Sequence, residues 1–221
     1  MIGPLLHEIQ DSLRGRETAP EWHETAKIFY PHVKLLTVAD RDHLCEQLWQ
    51  VDSFGGGVVV CYLYRRFAKQ CGVREFKLFT RWLDRYVDHW GHTDGLSLWL
   101  LGASIANEPA LIGELYAWTR SKNRWKKRAA AVAMVPSAKR GLHTSEILKI
   151  AQALVPDEDD MVRKGVGWLL KETYPKKPRE VVRFLDPWRG KASRVVLRYA
   201  AEKMTAADKA RVLSISSKTG P

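Results

Sequence analysis

Residues 75–87 read EFKLFTRWLDRYV. Here Phe76, Phe79, Trp82, Leu83, Tyr86 and Val87 recur at the three-and-four spacing of a helix with one buried stripe, not at the alternate positions of a half-buried strand. The same spacing returns in Leu111, Leu115 and Trp118, and again in Ile147, Leu148, Ile150, Ala151 and Leu154. The one β-branched run, Val58-Val59-Val60, lies inside a longer helical pattern that continues through Tyr62, Leu63 and Phe67. The chain therefore reads as all-α.

Working outward, the helical segments pair off. Residues 75–87 are followed by 93–106, 109–121 by 124–137, 144–155 by 160–173, and 178–186 by 191–204. Breakers separate the pairs: Asn107-Glu108-Pro109, Lys139-Arg140-Gly141, and Tyr174-Pro175-Lys176-Lys177-Pro178. Asp94, Arg128, Lys164 and Arg194 stand near the start of each second segment, separated by 34, 36 and 30 residues. That interval fits a two-helix repeat stacked into a right-handed solenoid over residues 1–210, with 211–221 as a flexible tail. A compact, non-repeating helical bundle is the alternative.

Stacking puts equivalent helices of successive repeats along one concave face. The second helices carry Arg124, Lys126, Lys127, Arg128, Arg163, Lys164, Lys171, Lys191, Arg194 and Arg198, so the expected groove is basic. First helices carry Glu75, Asp84, Glu114 and Glu146 among their polar positions. The whole chain agrees: 36 Lys and Arg against 25 Asp and Glu give a net charge of +11. Such a surface suits a polyanion, because bound Lys and Arg release condensed counterions from a phosphate backbone.

Composition also excludes classes. No apolar run is long enough to span a bilayer, and the opening Met1–Glu8 lacks the basic-then-apolar order of a secretory signal. Cys45, Cys61 and Cys71 have no metal-ligand or CxxC spacing and read as reduced cytosolic thiols. The expectation is a cytoplasmic protein, nucleoid-associated when bound to DNA.

Nine tryptophans are many for this length. Trp49, Trp82, Trp99 and Trp118 fall on apolar stripes and read as core. Trp90 instead lies in the polar connection Asp88-His89-Trp90-Gly91-His92-Thr93-Asp94. Trp168 sits beside Gly165 and Gly167, which each cost a helix about 1 kcal/mol and imply close approach of another backbone or a ligand. Asp94 has a plain structural reading as a helix cap. It also has a functional one, a carboxylate beside an exposed indole.

The segments Trp90-Gly-His-Thr-Asp94, Asn123-Arg-Trp-Lys-Lys-Arg128-Ala-Ala and Arg163-Lys-Gly-Val-Gly-Trp168-Leu-Leu-Lys-Glu172 resemble those of the AlkD-like DNA alkylation repair glycosylases, which are built from HEAT-like helical repeats. The resemblance spans roughly residues 22–205, is strongest from 75 to 185, and keeps the three segments in order. It implies that Asp94 is the catalytic carboxylate, that Trp90 and Trp168 are the indoles at the damaged nucleotide, and that Arg128 is the arginine beside the carboxylate. Tyr30 matches a further N-terminal aromatic contact, and Lys127, Arg163, Lys164, Lys171 and Arg194 are expected on DNA. It also implies a monomer that excises 3-methyladenine- or 7-methylguanine-type bases from duplex DNA without a base-flipping pocket and without a cofactor or metal. The tri-glycine in Trp49-Gln-Val-Asp-Ser-Phe-Gly-Gly-Gly57 departs from the family pattern.

Three other readings stay open. A non-catalytic DNA- or RNA-binding repeat protein explains the charge and helices, although a mere binder has no need of a carboxylate among cations. A metal site built from His89, His92 and Asp94 has close spacing but no second ligand-rich segment. A protein-binding repeat scaffold is the third.

Overall fold

A computed structural model describes residues 2–51 and 54–214, with the side chain of Val51 left out. The described residues are helical, with no strand among them. They fall into two compact units, residues 1–108 and 109–221. The first holds α1 (Ile2–Leu13), α2 (Ala19–Val33), α3 (Val38–Val51), α4 (Gly55–Tyr64), α5 (Val73–Tyr86) and α6 (Trp90–Gly95), which runs on through a π-helical stretch, Leu96–Leu101, into α7 (Gly102–Asn107). The second holds α8 (Ile112–Trp118), α9 (Arg124–Val132), α10 (Val135–Lys139), α11 (Thr144–Leu154), α12 (Asp160–Thr173), α13 (Pro178–Leu185), α14 (Arg194–Ala200) and α15 (Ala206–Leu213).

The decisive stretch folds as its spacing dictates. In α5, Phe76, Leu78, Phe79, Trp82 and Leu83 are buried, and the Glu75 carboxylate accepts from the Gly72 N–H at 2.9 Å to start the helix. Trp82 is fully buried and donates through Nε1 to Glu46 at 2.6 Å, so its one polar atom is satisfied. Trp49 and Trp118 are buried as expected. Val58-Val59-Val60 lies within α4.

The second helices begin at evenly placed cap residues: Thr18, Phe54, His89, Asn123, Asp159 and Ser193. The successive separations are 36, 35, 34, 36 and 34 residues. The two-helix repeat therefore runs from α1–α2 onward. Asn123 and Asp159 each accept two backbone N–H bonds at the starts of α9 and α12, and the Ser193 hydroxyl accepts from Val195 at α14.

This register corrects one alignment. Asp94, Arg128 and Lys164 each lie five residues past their cap, and the fourth member of that row is Arg198. Arg194 directly follows Ser193 and shares its register with Trp90. Lys191 precedes the cap and lies outside the helix. The second segment of the 109–121/124–137 pair is also broken into α9 and α10, where Pro136 supplies no N–H. Finally, α15 carries helix to Leu213, into the segment expected as tail; residues 215–221 lie outside the described ones.

The three cysteines are free and buried. Burial raises all three thiols, those of Cys61 and Cys71 up to about 12. No helix among the described residues is long and apolar enough to cross a membrane.

In the second unit α12 packs against α9 and α14. Gly167 makes the α14 contact possible. A Cβ there would stand 2.4 Å from Tyr199 Cβ and 3.1 Å from the Val196 carbonyl oxygen. Gly167→Ala should thus destabilise the fold by about 1–3 kcal/mol, read as a lowered midpoint in chemical denaturation. Gly113, in α8, has nothing within 4 Å of an added Cβ. Gly113→Ala should raise the same midpoint, by roughly 0.5 kcal/mol.

Candidate active site

The expected residues divide between the units: Trp90 and Asp94 belong to residues 1–108, Arg128 and Trp168 to 109–221. In the first unit, α6 starts at His89, whose Nδ1 accepts from the Gly91 N–H at 3.1 Å. Asp94 is consequently not the cap. It lies four residues after Trp90 on one helix, which puts both side chains on one face. Trp90 is 49% exposed and Asp94 is half-buried.

Both line a cleft of about 430 Å³ whose other walls include Trp22, Phe54, Tyr62, Leu98 and Trp99. Five of the lining residues are aromatic, Trp22, Phe54, Tyr62, Trp90 and Trp99, and they come from three successive second helices and their caps. Trp22 and Phe54 are tilted against each other with centroids 5.2 Å apart, and Tyr62 and Trp99 at 4.9 Å. The Arg65 guanidinium lies 4.9 Å from the centroids of both Tyr62 and Trp99. Trp22 is fixed by donation from Nε1 to the Arg16 carbonyl at 3.1 Å.

Two features of the sequence build this wall, and no local pattern announces either. The first is the tri-glycine. A Cβ on Gly55 would come within 2.9 Å of Trp22 Nε1, and one on Gly57 within 2.2 Å of the Trp49 ring. Glycine at these positions makes room for one indole of the cleft and one of the core. The second is the π-helical stretch that begins two residues after Asp94. A π turn is wider than an α turn and so rotates the residues that follow away from ideal α spacing, and Trp99 stands in the same cleft as Asp94. Trp99 is thus half-exposed in the cleft and not a core residue.

Neither His89 nor His92 is exposed to solvent. His89 caps α6. His92 is 1% exposed, with Nε2 2.8 Å from the Phe54 carbonyl oxygen, so both imidazoles hold the backbone around the cleft. Tyr30 is half-buried on α2, and the Arg66 guanidinium lies over its ring at 5.0 Å.

In the second unit, Arg128 is 6% exposed and donates from Nη1 to the Met161 carbonyl at 2.6 Å. Its stem passes over Gly165, where a Cβ would approach Arg128 Cγ to 3.2 Å. The close approach that the two glycines imply is therefore to a side chain at Gly165 and to a neighbouring helix at Gly167. Trp168, between the buried Gly167 and Leu169, is half-exposed.

The basic residues are engaged with neighbours. Lys127 pairs with Asp157, and Arg163 Nε donates to the Asp157 carbonyl at 2.7 Å. Lys164 pairs with Asp160 at 2.6 Å, Lys171 with Glu202 at 2.7 Å, and Arg194 donates to the Leu213 carbonyl at 2.8 Å. Arg198, at the position homologous to Asp94, Arg128 and Lys164, is exposed beside Lys164, Tyr199 and Lys209 in a second cleft of about 580 Å³.

With this geometry in place, the comparisons decide the family. The family model for the DNA alkylation repair enzyme matches residues 8–204. The chain belongs to the DNA alkylation repair enzyme family. Its fold is similar to that of a predicted DNA alkylation repair enzyme from Enterococcus faecalis, with a TM-score of 0.76 at 16% identity over 86% of this chain and 87% of that one. It is also similar to the crystal structure of AlkD2 from Streptococcus mutans, with a TM-score of 0.70 at 17% identity over 91% of this chain and 98% of that one. Likeness at these identities carries the helical-repeat fold. No curated protein matches the sequence.

Gly165→Ala tests the seating of Arg128 without touching its charge. The added Cβ should displace the guanidinium from the Met161 carbonyl. The expected result is weaker duplex binding by about threefold to tenfold, on the order of 1 kcal/mol, with the same salt slope as the parent protein. Arg128→Ala should instead reduce that slope. The check is duplex affinity by fluorescence anisotropy across a salt series.

Proposed function

We propose that the protein is a monofunctional DNA N-glycosylase that releases positively charged alkylated purines, of the 3-methyladenine and 7-methylguanine type, from duplex DNA. The observation that carries this reading is the placement of the Asp94 carboxylate beside Trp90 in an aromatic-walled cleft, in a chain of the DNA alkylation repair enzyme family.

The chemistry asks little of the protein. Alkylation at N3 or N7 puts a positive charge on the purine and weakens its bond to C1′. When that bond breaks, its electron pair goes to the base, which leaves neutral. The charge moves to C1′ and the ring oxygen of the sugar. Asp94 stabilises this oxocarbenium-like species electrostatically and orients the water that adds to C1′, accepting its proton. No cofactor is needed for this balance.

The remaining residues would hold the duplex. Arg128 grips a phosphate, and the packing of its stem against Gly165 together with its bond to the Met161 carbonyl gives the charge a fixed position. Trp168 and Tyr30 contact the nucleotide and its neighbours. Lys127, Arg163, Lys164, Lys171 and Arg194 follow the backbone, and the net charge of +11 draws the chain to DNA from a distance. The protein acts as a monomer on the nucleoid in the cytoplasm.

Asp94→Asn tests the reading directly. Release of 7-methylguanine from methylated duplex should fall about 10²–10³-fold, the size expected when one electrostatic contact to the transition state is removed, while duplex affinity is kept. Unchanged release by this variant removes Asp94 from the chemistry and leaves a helical-repeat protein that binds nucleic acid.

A further inference from the structure

In the second unit α15 stands between two clefts that share no residue. On one side Lys209 and Leu213 face Lys164, Arg198 and Tyr199 of α12 and α14. On the other, Asp208 and Arg211 face Arg179, Val182 and Arg183 of α13 across a space of about 540 Å³. The residues expected on the duplex all lie on second helices, whereas α13 is a first helix. This outer cleft is therefore left out of the groove.

The positive charge of the chain is concentrated around it. Residues 174–214 carry eleven Lys and Arg against four Asp and Glu, so this stretch supplies +7 of the net +11. Arg179 and Arg183 stand one turn apart on one face of α13. Both are exposed, and neither forms an ion pair among the described residues. Arg211 closes the opposite wall. Its Nε donates to one Asp186 oxygen at 3.0 Å and its Nη2 to the other, and this two-pronged pair fixes the guanidinium. Tyr174 donates to Asp208 at 2.6 Å and accepts from the Thr205 N–H at 3.2 Å, which pins the start of α15. Both acids of the cleft are thus engaged, and the arginine pair of α13 remains for a ligand.

We propose that the outer cleft is a second DNA-binding site, which holds backbone phosphates of another duplex segment while the groove holds the first. The inference rests on the reading that the second-helix groove binds duplex DNA, and it is independent of the chemistry at Asp94. The guanidinium fork suits phosphate, which it grips through two parallel bonds. Arg179 and Arg183, about 5–6 Å apart at Cβ, take neighbouring phosphates of one strand, and Arg211 reaches them from the other wall. The apolar lining side chains are Pro178, Val182 and the ring of Tyr174, and the last two are buried. A protein partner finds no anchoring pocket there, and a phosphate backbone needs none. A chain held in the groove meets further segments of the same DNA at high effective concentration, so even a weak second site is occupied. The chain then passes between segments without leaving the DNA.

The test uses the full-length protein and an undamaged duplex short enough to fill one groove, so binding is read apart from catalysis. With duplex in excess at low salt, native mass spectrometry should find two duplexes on each parent chain. Arg179→Ala/Arg183→Ala should bind the second duplex at least about tenfold more weakly, and the first within about twofold of the parent. Loss of two phosphate contacts should also flatten the salt slope of the second event by about two. Arg179→Lys/Arg183→Lys, which keeps the charge, should retain a second duplex. Release of 7-methylguanine from a short methylated duplex should be equal in the parent and the alanine variant.

Loss of the second duplex by the alanine variant, with the first retained, supports the second site. A parent that carries one duplex at saturation overturns it and leaves groove binding intact. An alanine variant that still carries two also overturns it, since the second contact then lies elsewhere. Capture of a polyglutamate peptide through Arg179 and Arg183, in place of a second duplex, overturns it in favour of an acidic protein partner. A folded parent that binds no duplex at all removes the groove reading and the second site with it.

Discussion

The site depends on one constraint: the Asp94 carboxylate and the rings that share its cleft are held in place by the backbone of α6 and its neighbours, and not by the side chains alone. Around Asp94 that geometry is fixed from the backbone outward. His89 caps α6, His92 is tied to the Phe54 carbonyl, and Trp22 is tied to the Arg16 carbonyl. The walls cannot fold away from the acid.

Space for that arrangement comes from residues with no side chain. Gly55 admits Trp22, Gly57 admits Trp49, and Gly165 admits the stem of Arg128. Each glycine gives up helix propensity to let a large side chain lie across a helix. The acid and the arginine occupy the same position of their repeats, five residues past a cap, as do Lys164 and Arg198. One position of a two-helix repeat has thus been used for a carboxylate in one repeat and for cations in the three that follow.

Much of this was legible in the sequence. Helical spacing and breakers gave the paired helices, and the order of residues set an exposed indole beside Asp94; that Trp90 lies on the same helix, and not in the connection before it, follows from the cap at His89. Gly165 and Gly167 signalled close approach. What escaped depends on contacts that no local pattern encodes. Trp99 sits on an apolar stripe under ideal α-helical spacing, and only the π-helical stretch shifts it into the cleft. Arg194 differs from Arg128 in register because it directly follows its cap, Ser193, whereas Arg128 lies five residues past Asn123. The ion pairs of Lys127 with Asp157 and of Lys171 with Glu202 join residues about one repeat apart, so they emerge only once the repeats are stacked. The tri-glycine seemed a departure until the indoles it accommodates were in place.

A glycosylase is defined by a rate. Methylated purines leave DNA slowly without help, so the decisive measurement is single-turnover release of 7-methylguanine from a methylated duplex with excess protein, beside the same duplex alone. The account predicts release faster than the spontaneous loss by several orders of magnitude, with the sugar–phosphate backbone left uncut. A rate equal to the spontaneous one, in protein shown to be folded and bound to the duplex, contradicts it.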